Sequence, residues 1–151
     1  MDDSLHINSK LPINKKLVIS LLQTINEVSS KMNSALKPYG ISEPQFNVLR
    51  ILRGQKGNPI SLAEVQEHMI TKMSNTTRLI DKLEAKNCVR RVINEENKRK
   101  IDLTITNVGL DLLKRTDEIL TTTENELVAG LTTNEKAELT ALLRKLRLIA
   151  K

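Results

Sequence analysis

The sequence predicts a mainly α fold carrying one small β-hairpin. Three observations lead there. Apolar residues recur three and four positions apart through most of the chain, the mark of helices with a single buried stripe. Strict alternation occurs in one place, where Ile101, Leu103 and Ile105 line up as a strand. One Tyr, one Phe and no Trp leave Leu and Ile to fill the interior, which suits helix-on-helix packing better than a sandwich.

Taken in order, residues 1–12 look frayed. Leu17, Val18, Leu21, Leu22, Ile25, Val28, Met32 and Leu36 then define a long amphipathic helix from about Ile13 to Leu36, ended by the KPYG segment. Ser42 caps a second helix, with Gln45 placed for a capping box, Pro44 tolerated in the first turn, and Phe46, Leu49 and Leu52 as its buried stripe. Arg53 to Pro59 reads as a loop. Ser61 and Glu64 form a second capping box, opening a short helix at 61–69 with Leu62, Val65 and Met69 inward. After a tight break comes another helix at about 72–86, and two short helices so joined are a helix-turn-helix.

CVRRVI then reads as a strand, NEENK as a turn and RKIDLTI as the returning strand, a wing at 89–105. Thr106 caps a long helix reaching about Ala129 through Leu112, Leu113, Ile119, Leu120 and Leu127. Thr132 and Glu135 make a third capping box, starting a last helix with Leu139, Leu142, Leu143, Leu146 and Ile149 inward.

The helix at 72–86 carries the functional signal. At 100° per residue, Met73, Thr76, Leu79, Ile80 and Leu83 fall within an arc of about 120°. Ser74, Thr77, Arg78, Asp81, Lys82 and Ala85 fall opposite, with Asn75 at the margin. Short hydroxyl and amide side chains let a helix approach a surface closely, and Arg reads guanine with two hydrogen bonds. Such residues also cap helices well, but four in a row exceed what a cap needs. In helix-turn-helix proteins the start of the second helix enters the major groove. The wing adds Lys98, Arg99 and Lys100 together at the start of its returning strand, able to reach a minor groove.

Charge agrees. The chain carries +6 overall, and Lys72 to Lys100 holds nine basic residues against four acidic ones, nearly the whole excess. Localised basicity suits a nucleic-acid partner. The single cysteine, Cys88, excludes an internal disulfide and fits a reducing, cytoplasmic setting. No apolar run is long enough for a membrane, and the N-terminus shows no secretory pattern. His6, His68 and Cys88 share no metal-ligand spacing; His68 reads as a surface residue and Cys88 as a small core residue. No nucleophile–base motif or glycine-rich phosphate loop stands in the chain, so neither an enzyme nor a cofactor is expected. The competing reading is a helical dimeric adaptor that binds an acidic protein partner without reading DNA. It gives no reason for short polar residues beside an Arg-tipped wing.

Four segments in order, YGISEPQFNVLRIL, TRLIDKLEAKNCVRR, NKRKIDLTITNVG and LTTNEKAELTALLRKL, resemble the multiple-antibiotic-resistance regulator (MarR) family of winged-helix transcription factors. The resemblance covers about Ile13 to Ile149. It implies one domain over 1–151, with dimerisation helices at about 13–37 and 107–150 around a DNA-binding lobe at about 42–105. It implies a homodimer on a pseudo-palindromic operator of double-stranded DNA, with repression as the expected mode. Ser61, Lys72, Ser74, Asn75, Thr77, Arg78, Lys82, Lys98, Arg99 and Lys100 are then the DNA-facing set, with Arg99 as the wing arginine. Many members are released by a small, often phenolic, effector lodged between the two parts. The sequence names neither that effector nor its ligand-binding residues, and expects a Leu/Ile-rich wall with Tyr39 and Phe46 as its only aromatics. Asn97 stands where the family commonly has an Asp bracing the wing arginine, and Asn87 where many members have Gly.

Overall fold

A computed structural model describes residues 10–72 and 75–149. Residues 1–9 of the stretch expected to fray, His6 among them, lie outside the described residues, as do Met73 and Ser74. Helix α1 runs Ile13–Leu36 and passes into a 3-10 turn at Lys37–Tyr39, which Gly40 closes with a left-handed φ of 72°. Helix α2 spans Glu43–Gly54 behind the Ser42 capping box: the Ser42 hydroxyl accepts from Gln45 N, and Gln45 Oε1 accepts from Ser42 N at 2.9 Å. The helix overruns the expected loop by two residues. Arg53 is held in its last turn by a two-point ion pair to Asp117, the shorter contact 2.6 Å.

A strand that the sequence did not announce follows. Strand β1, Ile60–Ser61, pairs antiparallel with β3, Ile101–Ile105, setting Ile60 opposite Leu103. Strand β2, Val89–Ile93, lies on the other side of β3, giving a three-stranded sheet of order β1-β3-β2 in place of a lone hairpin. Two residues are too few to show an alternation, so β1 had no signal to read.

Helix α3 is Leu62–His68, capped as expected by the reciprocal Ser61–Glu64 pair. Met69 leaves the helix with extended backbone while its side chain stays buried. Helix α4 is Thr76–Ala85. It begins about four residues later than the spacing suggested, so Lys72 belongs to the connection and not to the helix. Asn87 adopts φ 60° after it, as its place in the sequence asked. Helix α5, Asn107–Leu127, starts on the Thr106 cap, and helix α6, Thr133–Ile149, on the reciprocal Thr132–Glu135 pair.

The core joins the lobe to one side of α1 and α5. Leu36, Val48, Leu49, Val65, Leu83 and Leu113 are fully buried within it. Cys88 is buried there too, where desolvation pushes its thiol pKa up, consistent with a packing role. Gly109 sits against the Cys88 carbonyl and Ile105, with no room for a Cβ. The last helix corrects an expectation. Leu139, Leu142, Leu146 and Ile149 do not face this chain's core but stand 45–74% exposed, and α6 buries no residue. Their stripe is apolar, and among the described residues none covers it. Among the described residues, no helix is long and apolar enough to cross a membrane.

Candidate nucleic-acid interface

Helix α4 has two faces. Thr76, Leu79, Ile80 and Leu83 are buried, while Thr77, Arg78, Asp81, Lys82 and Ala85 are exposed. Asn75 is the N-cap residue by position but makes no capping bond with its side chain; its carbonyl accepts from Arg78 N and Leu79 N. Among the described residues, no hydrogen bond or ion pair occupies the side chains of Asn75, Thr77, Arg78 or Lys82. One amide, one hydroxyl and two cations thus project from the first two turns without internal partners.

Other residues of the set are engaged. Lys72 Nζ donates to the carbonyls of Gln66 at 3.1 Å and Glu67 at 2.6 Å, so its ammonium closes the C-terminus of α3. The Ser61 hydroxyl accepts from Glu64 N. Hydrogen bonding to the Ser61 backbone amide, then to the Ser61 hydroxyl, holds the Glu64 carboxyl below its ordinary pKa. Ser74 lies outside the described residues.

Lys98, Arg99 and Lys100 stand exposed in the turn between β2 and β3, not in the returning strand, which starts at Ile101. The turn is built on asparagine. Asn94 Oδ1 accepts from Glu96 N and Asn97 N, both at 2.9 Å, and Asn94 Nδ2 donates to Asp102. Asn97 Oδ1 accepts from the backbone amide of Arg99 at 3.1 Å, so Asn97 holds the turn itself. Asn94 and Asp102 escaped the sequence reading; the only available signal was an Asx-turn pattern at the start of NEEN.

A second missed element ties the wing to the helix. Arg91 of β2 reaches Asp81 and Glu84 on α4, the latter at 2.6 Å. The hydrogen bond to Asp81, then the Glu84 charge, raises the guanidinium pKa above its ordinary value. Arg91 counted toward the basic footprint in the sequence, but in the fold it is neutralised and braces β2 against α4.

Behind this surface lies a cavity of about 260 Å³ between α1, α2, the α3–α4 connection and α5. Met32, Phe46, Met69 and Ile70 form its apolar wall, beside Ser29 and Asn47. Two methionines and Ile70 stand in place of the expected Leu/Ile-rich wall, and Tyr39 is absent from the lining. Among the described residues, no group of three or more His, Cys, Asp or Glu is placed to hold a metal ion.

Comparison with known proteins defines the class. The MarR family profile matches residues 41–101, the stretch from the start of α2 to the start of β3. The transcriptional repressor MprA of Escherichia coli K12 is 31% identical over 117 residues, which is 76% of this chain and 65% of that repressor. The chain therefore spans just under two thirds of that relative's length. The repressor MdtR of Bacillus subtilis is also 31% identical, over 60% of this chain and 57% of its own. A mutant of Escherichia coli MarR, solved in complex with operator DNA, superposes with a TM-score of 0.80 at 26% identity, covering 87% of this chain and 93% of the other. Residues 41–101 thus carry a MarR-family domain, and the chain shares the winged-helix fold of MarR-family regulators. The adaptor alternative finds no support among these relatives.

Proposed function

We propose that this chain is a sequence-specific, DNA-binding transcriptional repressor that acts as a homodimer on a pseudo-palindromic operator and is released by a small aromatic effector. The observation that carries the reading is the partition of α4: its apolar side locks into the core while Asn75, Thr77, Arg78 and Lys82 face outward, their side chains unpaired among the described residues. Ser74 and Arg78 would read base edges with Asn75 and Thr77. Lys72, Lys82 and Ser61 would meet phosphate, and Lys98, Arg99 and Lys100 the flanking groove. Lys72 would have to leave the α3 carbonyls to do so.

The lobe at about 42–105 is the DNA-binding part, and the helices at about 13–37 and 107–150 are the dimerising part. Support for dimerisation comes from the uncovered apolar stripes of α1 and α6, where Leu17, Leu22, Ile25, Leu142 and Ile149 are each more than half exposed. Support for an effector comes from the cavity between the two parts and from an organohalide-sensing regulator of the same fold, solved in its 2,4-dichlorophenol-bound form.

The test is Arg78→Ala on a duplex that the wild-type protein selects from a random pool. The substitution is expected to cost about 1–3 kcal/mol of specific binding and to relax preference at one base position per half-site. Unchanged specific affinity would remove Arg78 from the base-reading set. A wild-type protein that selects no sequence at all would overturn the reading as a whole.

A further inference from the structure

The wall of the cavity holds an unusual amide. Asn47, in the middle of α2, is 5% exposed. Its Oδ1 accepts from the backbone amide of Ile70 at 2.9 Å, in the connection that leads from α3 to α4. Its Nδ2 is buried and has no hydrogen-bond partner, a condition shared among the described residues only by Thr104 Oγ1. Folded proteins rarely leave a buried donor unused. Here the residue that carries the unused donor lines the cavity, and the other arm of the same planar group holds the entry to α4.

We propose that Asn47 couples occupancy of this cavity to the recognition helix. The inference rests on the effector reading above and adds to it a coupling residue and a ligand class. The amide moves as one unit. When Nδ2 turns to an acceptor on a bound molecule, Oδ1 withdraws from Ile70 N–H. The connection loses the side-chain bond that anchors it to α2, and the helix carrying Thr77 and Arg78 loses its register on the duplex. A ligand acts this way because it binds the turned state better than the anchored one.

Chemistry narrows the ligand. Met32, Phe46 and Met69 offer an apolar bed. Glu43 and Glu124 also line the cavity against the single cation of Arg50, and Glu43 already accepts from Ser29 Oγ at 2.6 Å. A carboxylate ligand would face that excess of negative charge. The fitting molecule is a neutral aromatic with a hydrogen-bond acceptor, such as an aryl ketone.

The experiment uses the full chain, acetophenone as probe and benzoate as its anionic control. Calorimetry reads binding, amide-resolved hydrogen exchange reads Ile70, and a fluorescent selected duplex reads DNA affinity. Acetophenone is expected to bind more tightly than benzoate, to speed Ile70 exchange and to weaken duplex binding by about tenfold, within the usual range of coupling between sites. A bound probe that leaves Ile70 exchange unchanged overturns the proposal. Asn47→Leu tests the lever without any ligand: Ile70 exchange should rise, duplex affinity should fall several-fold, and unchanged values overturn the role. Should that variant fail to fold, Asn47→Ala removes both arms of the amide without adding charge or bulk. Ile70 exchange should again rise, duplex affinity should fall, and acetophenone should add no further change; a wild-type response to acetophenone overturns the proposal. If neither probe binds, the effector reading falls, and Asn47→Leu still decides whether Asn47 anchors the connection.

Discussion

The lobe and the arms of this molecule are written in the same leucine-rich periodicity and end in opposite environments. In the lobe, Val48, Leu49 and Leu52 of α2 are 0–2% exposed, closed over by α3, α4 and the sheet. In α6, Leu139, Leu142 and Leu146 recur three and four residues apart and stay 45–61% exposed. Amphipathicity reports that a helix wants cover on one side. It does not report whether the cover comes from the same chain. The lobe satisfies itself; the arms present a surface suited to a second copy.

The sharpest way to break that contrast is to change one leucine in each region. Leu49→Ala should destabilise the fold by about 2–5 kcal/mol, because the cavity it leaves is walled by packed neighbours. Its thermal midpoint should fall by the same amount at every protein concentration. Leu142→Glu should leave the lobe's helical signal in place and act on association, weakening it by about 2–4 kcal/mol, as buried interface anchors do. Sedimentation is expected to show a dimer for wild type and a monomer for the variant, and affinity for a two-half-site duplex should fall with it. A variant that remains dimeric would sever the arms from assembly.

Between the regions, Gly109 joins the wing to α5. A methyl group there would overlap the Cys88 carbonyl and come within 2.7 Å of Ile105 Cγ1. Backbone cannot step aside as a flexible side chain can, so Gly109→Ala is expected to cost about 1–3 kcal/mol of stability. Chemical denaturation checks it. A loss of DNA affinity without a loss of stability would show instead that this junction sets the wing's angle.

Much of this was legible in the chain because its signals are local. Ser42–Gln45, Ser61–Glu64 and Thr132–Glu135 announced three helix starts, and each reciprocal cap is present in the fold. Asn87, standing where many members of the resembled family have Gly, takes the left-handed conformation before the wing. The outward placement of Thr77, Arg78 and Lys82 followed from helical angle alone. What escaped depends on distant partners. Strand β1 exists because Ile60 meets Leu103, far along the chain, and the Arg91 brace because a strand passes beside a helix. The start of α4 was misjudged because Lys72 kept helical spacing, while its ammonium spends itself on α3 carbonyls. The Asn47–Ile70 bond had no sequence signal at all: a single amide in a buried stripe looks like any other polar interruption.

The smallest expected effect separates two cations on one helix. Arg78 and Lys82 lie one turn apart on the exposed face of α4, and both are free of internal partners among the described residues. Lys82 stands farther from the helix start, and an ammonium is a point charge without the planar fork that reads a base. Lys82→Ala should therefore weaken binding to all duplexes alike and flatten the dependence of log K on log salt by about one unit, as expected when a single lysine–phosphate pairing is removed. Titrations at several salt concentrations, on the selected duplex and on a scrambled one, measure both slopes. Equal weakening on the two duplexes places Lys82 on the backbone. An effect confined to the selected duplex would move it into the base-reading set and extend the recognition surface by a full turn of the helix.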